Sequence, residues 1–389
     1  MYPRLAIDRL QALATRFPAV VILGARQVGK TTLARQAFPE HAYVDLEDPR
    51  TRDLFADDPR FQLDSRTRIG GLIVDEAQAV PDVFAALRGA IDAARGERGR
   101  FVVLGSAQPA LVRGISESLA GRVGLLELDP LTATEACSGP APADWRSNWL
   151  CGGFPDALTS GAEGFREWHE AYLRAYIERD LPQLGVSADP LLARRLITML
   201  AHQQGGLLNI NSLANALGVS HAGVSRLLDA FEATFLLRRL PPWFRNVGKR
   251  LTKSPKVYLR DTGMLHHLLN IGSHDQIENH PVRGASWETF VLEDIIRRER
   301  LSHPQTQFYF WRTAAGGEID LLLDRGDQRH AIEIKAGRGN ARQGRYLADM
   351  MVDADAAHGW ILDQGDDAEE AINASVQRRA FAGSLAWLP

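Results

Sequence analysis

The chain has 389 residues, a length that suggests two or three domains. Hydrophobic residues make up 45% and charged residues 24%, which excludes collagen, a long coiled coil and wholesale disorder. With 45 Lys and Arg against 48 Asp and Glu, the net charge of -3 excludes a global polycation that coats nucleic acid, though not a local basic patch.

The opening segment, MYPRLAIDRLQALATRF, sets charges between apolar residues at helical spacing and reads as no signal peptide. No stretch approaches eighteen uncharged apolar residues, so a cytoplasmic protein with no membrane partner is expected. Cys137 and Cys151 lack metal-ligand spacing and read as two reduced thiols.

Residues 19–30 (AVVILGARQVGK), 71–76 (GLIVDE) and 101–106 (FVVLGS) each carry a short apolar run that ends in polar residues. Helical patterns lie between them, so a parallel α/β sheet covered on both faces is expected. The turn-rich SGPAPADWRS closes that domain, giving expected domains at 1–140, 141–275 and 276–389. Residues 165–204 look all-helical, and LNINSLANALGVSHAGVSRLLDAFEATFLLRRL then reads as a helix–turn–helix. In it Leu213, Ala214 and Leu217 mark one helix, Gly218 its end, and Val224, Leu227 and Leu228 the next. The third region starts with the helix SWETFVLEDIIRRER and continues into strands near 307–312, 318–323 and 331–335. From Tyr346 to Val376 there are eight acidic residues and no Lys or Arg, which suggests a solvated surface.

GARQVGKT fits G-x-x-x-x-G-K-[ST] without adjustment. Gly24 and Gly29 let the backbone of Gly24, Ala25, Arg26, Gln27, Val28 and Gly29 wrap a phosphate at a helix N-terminus. Lys30 would reach the β- and γ-phosphates of ATP, the Thr31 hydroxyl would ligate Mg²⁺, and Thr32 follows in the same turn. Asp75 and Glu76 end an apolar strand whose carboxyl end faces the ligand crevice. Asp75 would hold the Mg²⁺ through water, Glu76 would orient or deprotonate the attacking water, and Ser106 would sense the γ-phosphate. Arg122 and Arg113 read either as an arginine finger or as surface residues, and a homo-oligomer follows only if a finger acts in trans.

In GGEIDLLLDRGDQRHAIEIKAG, a hairpin symmetric about Gly326–Asp327 sets Asp320 opposite Glu333 and Glu318 opposite Lys335. Like charges directly opposite destabilise a sheet unless a divalent cation, Mg²⁺ or Mn²⁺, sits between them. Asp320 and Glu333 would be the ligands, with the Ile334 carbonyl and the helical Glu288 as further candidates. Lys335 would position a metal-activated water against a phosphodiester. The alternative is a solvated hairpin face whose carboxylates repel weakly.

Residues 234–260 contain Arg238, Arg239, Arg245, Lys249, Arg250, Lys253, Lys256 and Arg260 and no acid. They read as a wing-like hairpin on phosphates, beside a recognition helix at 221–231 that exposes Ser220, His221, Ser225 and Arg226. DNA is the expected partner and RNA is not excluded; a protein-binding module or a plain three-helix core is the alternative.

Taken together, GARQVGKTTL, LIVDEAQ and SLAGRVGLLELDPLTATE resemble an AAA-type P-loop ATPase. AYIERDL, KVYLRDTGML, SWETFVLEDII, GGEIDLLL and AIEIKAG resemble the C-terminal region of uncharacterised bacterial and archaeal ATPases. That resemblance implies a winged helix followed by a restriction-endonuclease-like PD-(D/E)XK domain. It matches Asp320, Glu333 and Lys335 to an Asp and an E-x-K on adjacent strands, and Glu288 to a helical acid. Ile319 stands where the family name has Pro. The function implied is ATP hydrolysis coupled to DNA binding and metal-dependent phosphodiester cleavage, or a nucleotide-switched regulator whose nuclease-like domain is silent.

Overall fold

The apolar runs of the first third become five parallel strands: β1 (Ala19–Leu23), β2 (Ala42–Asp45), β3 (Leu72–Asp75), β4 (Phe101–Gly105) and β5 (Val123–Glu127). The computed structural model describes all residues except 68–69, 106–113, 116, 140–143, 187–188, 245–253, 314–315, 366–368 and 385–389. The sheet order is β2-β3-β4-β1-β5. Alternate residues feed two cores, which is why the central strands are apolar on both faces. Val20, Ile22, Val102 and Leu104 pack with helices α1 (Ala6–Arg16) and α2 (Lys30–Ala37). Val21, Val74 and Val103 pack with α3 (Pro49–Asp57), α4 (Pro59–Arg66) and α5 (Asp82–Ala93) on the other side. Asp48 and Asp58 cap α3 and α4, each with Pro in the first turn.

The middle of the chain is helical: α6 (Ala133–Cys137), α7 (Trp145–Cys151), α8 (Pro155–Ala175), a π-helical turn (Tyr176–Asp180) and α9 (Pro190–His202). The expected helix–turn–helix pair follows as α10 (Ile210–Leu217) and α11 (His221–Ala233). Gly218 ends α10 at φ 68 and Ser220 caps α11. Leu213, Val224, Leu227, Leu228 and Phe231 form their core with Tyr176, Ile177 and Leu181. Antiparallel strands β6 (Leu237–Leu240) and β7 (Lys256–Leu259) complete this part, followed by α12 (Thr262–Leu268).

Helix α13 (Arg283–Ser302) opens the C-terminal part, which also contains α14 (Ala341–Ala354). Its sheet is mixed: β8 (Gln307–Arg312), β9 (Glu318–Asp324), β10 (Arg329–Lys335), β11 (His358–Asp363), β12 (Glu370–Ala371) and β13 (Val376–Ala380) lie in the order β12-β13-β11-β10-β9-β8. No described helix is long and apolar enough to cross a membrane.

Helix α13 is buried on almost every side and joins the three parts. Trp287 and Phe290 meet Trp145, Trp149 and Phe381 in one aromatic cluster. Asp294 accepts the Ala133 N–H at 2.8 Å, and Arg297 donates to Leu131 O and Arg260 O at 3.2 and 2.7 Å. The acid-rich stretch after Tyr346 is not wholly a solvated surface, because Asp363 is fully buried. Arg378, reached across the β11–β13 pair, holds both of its oxygens, at 2.6 and 3.0 Å.

His266 on α12 is buried in a chain of hydrogen bonds between α7 and α13. Trp149 Nε1 donates to Ser286 Oγ at 3.0 Å, Ser286 Oγ–H to His266 Nε2 at 2.7 Å, and His266 Nδ1–H to Leu150 O at 2.9 Å. This pattern satisfies the neutral ring, and burial pushes its pKa down from 6.5 to about 4. The unfolded chain therefore binds more protons than the folded one between those values. The stability contributed by the neutral ring is complete above pH 6.5 and is lost as the pH falls toward 4. In denaturant titrations, the stability advantage of wild type over His266→Gln should shrink by about 3 kcal/mol from neutral to acid pH. A pH-independent difference would contradict this role.

Candidate functional site: a nucleotide cavity and an acidic cluster

The loop after β1 turns because Gln27 and Gly29 take positive φ, 60 and 94, directly before Lys30 opens α2. A Cβ at Gly24 would lie 2.3 Å from Leu128 O, so the loop and the strand after β5 approach too closely for any side chain. Arg4 braces the loop from behind, donating to Val28 O at 2.7 Å and Asp129 O at 2.6 Å. Sequence reading missed Arg4, which carries no signal beyond preceding an amphipathic helix.

Lys30 Nζ lies on the loop carbonyls of Gly24 and Ala25, at 3.1 and 2.8 Å. The Thr31 hydroxyl donates to Asp75 Oδ2 at 2.6 Å, and Tyr43 donates to the same oxygen at 3.0 Å. Glu76 follows at φ 50, with its carboxylate on Gln78. Burial raises the Glu76 pKa, opposed by Lys30. Burial lowers that of Lys30, opposed by Glu76 and Asp75. Sequence-predicted Lys30, Thr31, Asp75 and Glu76 are therefore brought together, and Arg26, Gln27, Gly29 and Thr32 line the same cavity of about 1050 Å³.

The other wall comes from the helical part and was not anticipated. Trp168 and Tyr172 of α8 stack at 5.2 Å and 18°, and both line the cavity. The π turn adds Tyr176, Arg179 and Asp180. Arg26 Nε lies 3.2 Å from Asp180 Oδ1, and Arg179 pairs with Glu47 at 2.6 Å. Tyr176 also reaches Thr234 Oγ1 at 2.9 Å, linking this wall to the end of α11.

Arg122 does not join the cavity. Its guanidinium is bidentate to Asp92 on α5, at 3.0 Å for each bond, so an in-cis finger does not form in this arrangement. Ser106 and Arg113 lie outside the described residues.

Ser225 and Arg226 sit on the outer side of α11, half-buried and exposed respectively. Arg245, Lys249, Arg250 and Lys253 lie outside the described residues. The other four cations of the basic run face carboxylates of this chain, so the expectation of phosphate contacts does not hold for these four. Arg238 is bidentate to Glu293, Arg239 pairs with Asp229 and Glu232, Lys256 with Glu288 and Glu318, and Arg260 with Asp129, Glu127 and Glu293. Composition shows the excess of cations but not the acids that α13 and β5 bring to them.

Strands β9 and β10 pair in the predicted register, Ile332 opposite Leu321 and Ala331 opposite Leu322. Asp320 and Glu333 accordingly come together at the end of the hairpin. Asp320 Oδ2 accepts the Ile334 N–H at 2.8 Å. Lys335, expected to face Glu318 in register, pairs with Glu333 two residues back on its own strand. Glu318 is taken instead by Lys256 and, at 3.4 Å, by Arg312. Glu288 joins the cluster from α13, accepting from Tyr258 at 2.5 Å and from Lys256 at 3.1 Å. Burial, reinforced by Glu333 and Glu288, pushes the Asp320 pKa well above the carboxylate range. Burial works against the Lys256 charge, but Glu288, Asp320 and Glu318 outweigh it and raise its pKa.

Three family models match consecutive stretches of the chain: an AAA domain at residues 16–137, a domain of unknown function (DUF8612) at 142–275 and a domain of unknown function (DUF4143) at 283–378. The uncharacterized protein Rv2008c of Mycobacterium tuberculosis is 42% identical over 366 residues, covering 93% of this chain and 80% of that protein. The uncharacterized protein Mb2031c of Mycobacterium bovis matches with the same identity and coverage. Among solved structures, the Walker-type ATPase PABY2304 of Pyrococcus abyssi aligns at 16% identity over 69% of this chain and 96% of its own, with a TM-score of 0.48. The N-terminal part is thus an AAA-type P-loop ATPase domain, and the whole chain belongs to the family of Rv2008c and Mb2031c.

Proposed function

We propose that this protein binds and hydrolyses ATP and passes its nucleotide state to the helical and C-terminal parts. The observation that carries this reading is the shared cavity: Lys30, Thr31, Asp75 and Glu76 form one wall, and Trp168, Tyr172, Arg179 and Asp180 form the other. A hydroxyl and a carboxylate 2.6 Å apart at Thr31 and Asp75 are a donor set suited to Mg²⁺. That ion, when bound, supplies charge neutralisation to the β- and γ-phosphates.

The residues of the chain supply the rest. Lys30 exchanges the carbonyls of Gly24 and Ala25 for phosphate oxygens, and the loop amides at the start of α2 donate to the phosphates. Glu76, held largely out of water, takes or orients the proton of the attacking water. Arg26 and Arg179 exchange Asp180 and Glu47 for the polyphosphate, which changes the contacts of the π turn.

For the C-terminal part we favour the regulatory reading, with the helix–turn–helix and hairpin as a winged helix on DNA or another partner and a restriction-endonuclease-like sheet that is silent. The observation behind this choice is Lys256. Its ammonium stands where a divalent ion would need oxygen ligands, and with it in place no three His, Cys, Asp or Glu side chains are grouped for a metal among the described residues. Phosphodiester cleavage by Asp320, Glu333 and Lys335 with Mg²⁺ or Mn²⁺ is the second reading, supported by the β9–β10 register. DNA contacts at Ser225, Arg226, Arg245, Lys249, Arg250 and Lys253 belong to either reading, and an arginine finger at Arg122 only to an oligomer.

Phosphate release from ATP tests the first claim. Lys30→Ala should reduce turnover by at least ~100-fold with the fold intact, and unchanged turnover would refute the site. Glu76→Gln should keep ATP binding and lose turnover. In wild type the acid limb of the rate should lie above the ordinary glutamate range, since burial raises the Glu76 pKa and the rate follows its deprotonated form. Linear, circular and single-stranded DNA incubated with the protein and Mg²⁺ or Mn²⁺, with and without ATP, should remain intact. Cleavage that disappears in Asp320→Ala would establish the nuclease reading instead.

A further inference from the structure

Strand β7 and the residue after it place Lys256, Tyr258 and Arg260 at every second position, on one side of the chain. All three turn toward α13: Lys256 and Tyr258 meet Glu288, and Arg260 meets Glu293. The Lys256 side chain is 4% exposed. Its Nζ lies 3.1 Å from Glu288 Oε1 and 3.9 Å from Asp320 Oδ1, pairs directly with Glu318, and sits 5.7 Å from the centre of the Phe310 ring. The backbone of this region is fastened on both sides. Val257 exchanges hydrogen bonds with Gly205 and Gly206, at 2.8 and 3.0 Å. Pro241 and Trp243 bind the edge strand β8, Trp243 N to Phe310 O at 2.7 Å and Phe310 N to Pro241 O at 3.0 Å.

We propose that Lys256 is the resident cation of the Glu288–Glu318–Asp320 cluster, a lock by which the β6–β7 hairpin closes that cluster to divalent ions while it stays docked. A hard divalent ion needs about six oxygen ligands. Here two of the three carboxylates already hold an ammonium, and the third accepts a backbone N–H. An ion cannot enter beside Lys256 without leaving a buried ammonium unpaired, a state whose cost exceeds what one added ligand contact returns. Opening therefore requires Lys256 to leave together with β7.

Strand β7 is also tied to the nucleotide domain. Arg260, at its end, pairs with Asp129 and Glu127, and the Asp129 carbonyl is held by the same Arg4 that braces the phosphate loop. Only this last link rests on the ATP-switch reading; the lock itself rests on the geometry around Lys256.

Mn²⁺ titration of the nucleotide-free full chain by calorimetry, beside Asp320→Asn, Lys256→Gln and the double variant, tests the lock without any ATP reaction. Wild type should show no Mn²⁺ binding that depends on Asp320. Lys256→Gln should gain one such ion per chain, and the double variant should lose it again. Asp320-dependent binding in wild type, or no gain in a folded Lys256→Gln, overturns the proposal. Should Lys256→Gln fail to fold, amine acylation of wild type read by peptide mass spectrometry decides. Protection of Lys256 by at least ~10-fold relative to a free lysine derivative supports the lock, and equal reactivity overturns it.

Discussion

The guanidinium of Arg260 is the point on which the three parts of this chain depend. It is buried among Asp129 and Glu127 of the nucleotide domain and Glu293 of α13, while its own backbone belongs to the helical part. Burying these charges is costly, and the pairings outweigh the cost: Asp129 and Glu293 are both held below the ordinary carboxylate range despite desolvation. Such a group has few acceptable alternatives. Removing one partner leaves a buried charge uncompensated, a loss of about 3–5 kcal/mol, so the parts must move together or exchange partners outright. That discreteness is what a switch requires, since a contact that can stretch gradually transmits little.

The nucleotide cavity has the same character. Its second wall is not loop but the end of α8 and a π turn, and both ion pairs across the cavity mouth join the nucleotide domain to that turn. Anionic phosphates bound there would compete with Asp180 and Glu47 for Arg26 and Arg179. Tyr176 both lines the cavity and bonds Thr234, so under the proposed switch a change at the cavity would reach the helix–turn–helix core. Its route to α13 and the acidic cluster would run through Lys256 and Arg260, which pair with Glu288 and Glu293.

Much of this was legible in the chain itself wherever the information is local. The phosphate loop declares its residues within eight positions, and the carboxyl end of an apolar strand placed Asp75 and Glu76 beside it. Turn chemistry at Gly326–Asp327 was enough to set the β9–β10 register. What escaped is which opposite charge each group meets. Arg238, Lys256 and Arg260 looked like a surface for phosphates because their partners Glu127, Asp129, Glu288 and Glu293 are far away in sequence. Lys335 was assigned across the hairpin, whereas its shortest path leads to Glu333 on the same face of its own strand. Arg122 carried the right charge near the right motif, yet Asp92 claims it. In each case a charge pattern identified a group able to act, and only the fold showed which opposite charge it meets.

The central claim, that nucleotide at the phosphate loop is felt by the β6–β7 hairpin, is tested most directly by amide hydrogen exchange. The protein would be followed with and without a non-hydrolysable ATP analogue, beside Lys30→Ala. The account predicts that the analogue protects residues 24–32 and changes exchange at 205–208 and 256–259 by at least ~10-fold in wild type, with neither effect in Lys30→Ala. Protection confined to residues 24–32, with the hairpin unchanged, would contradict it.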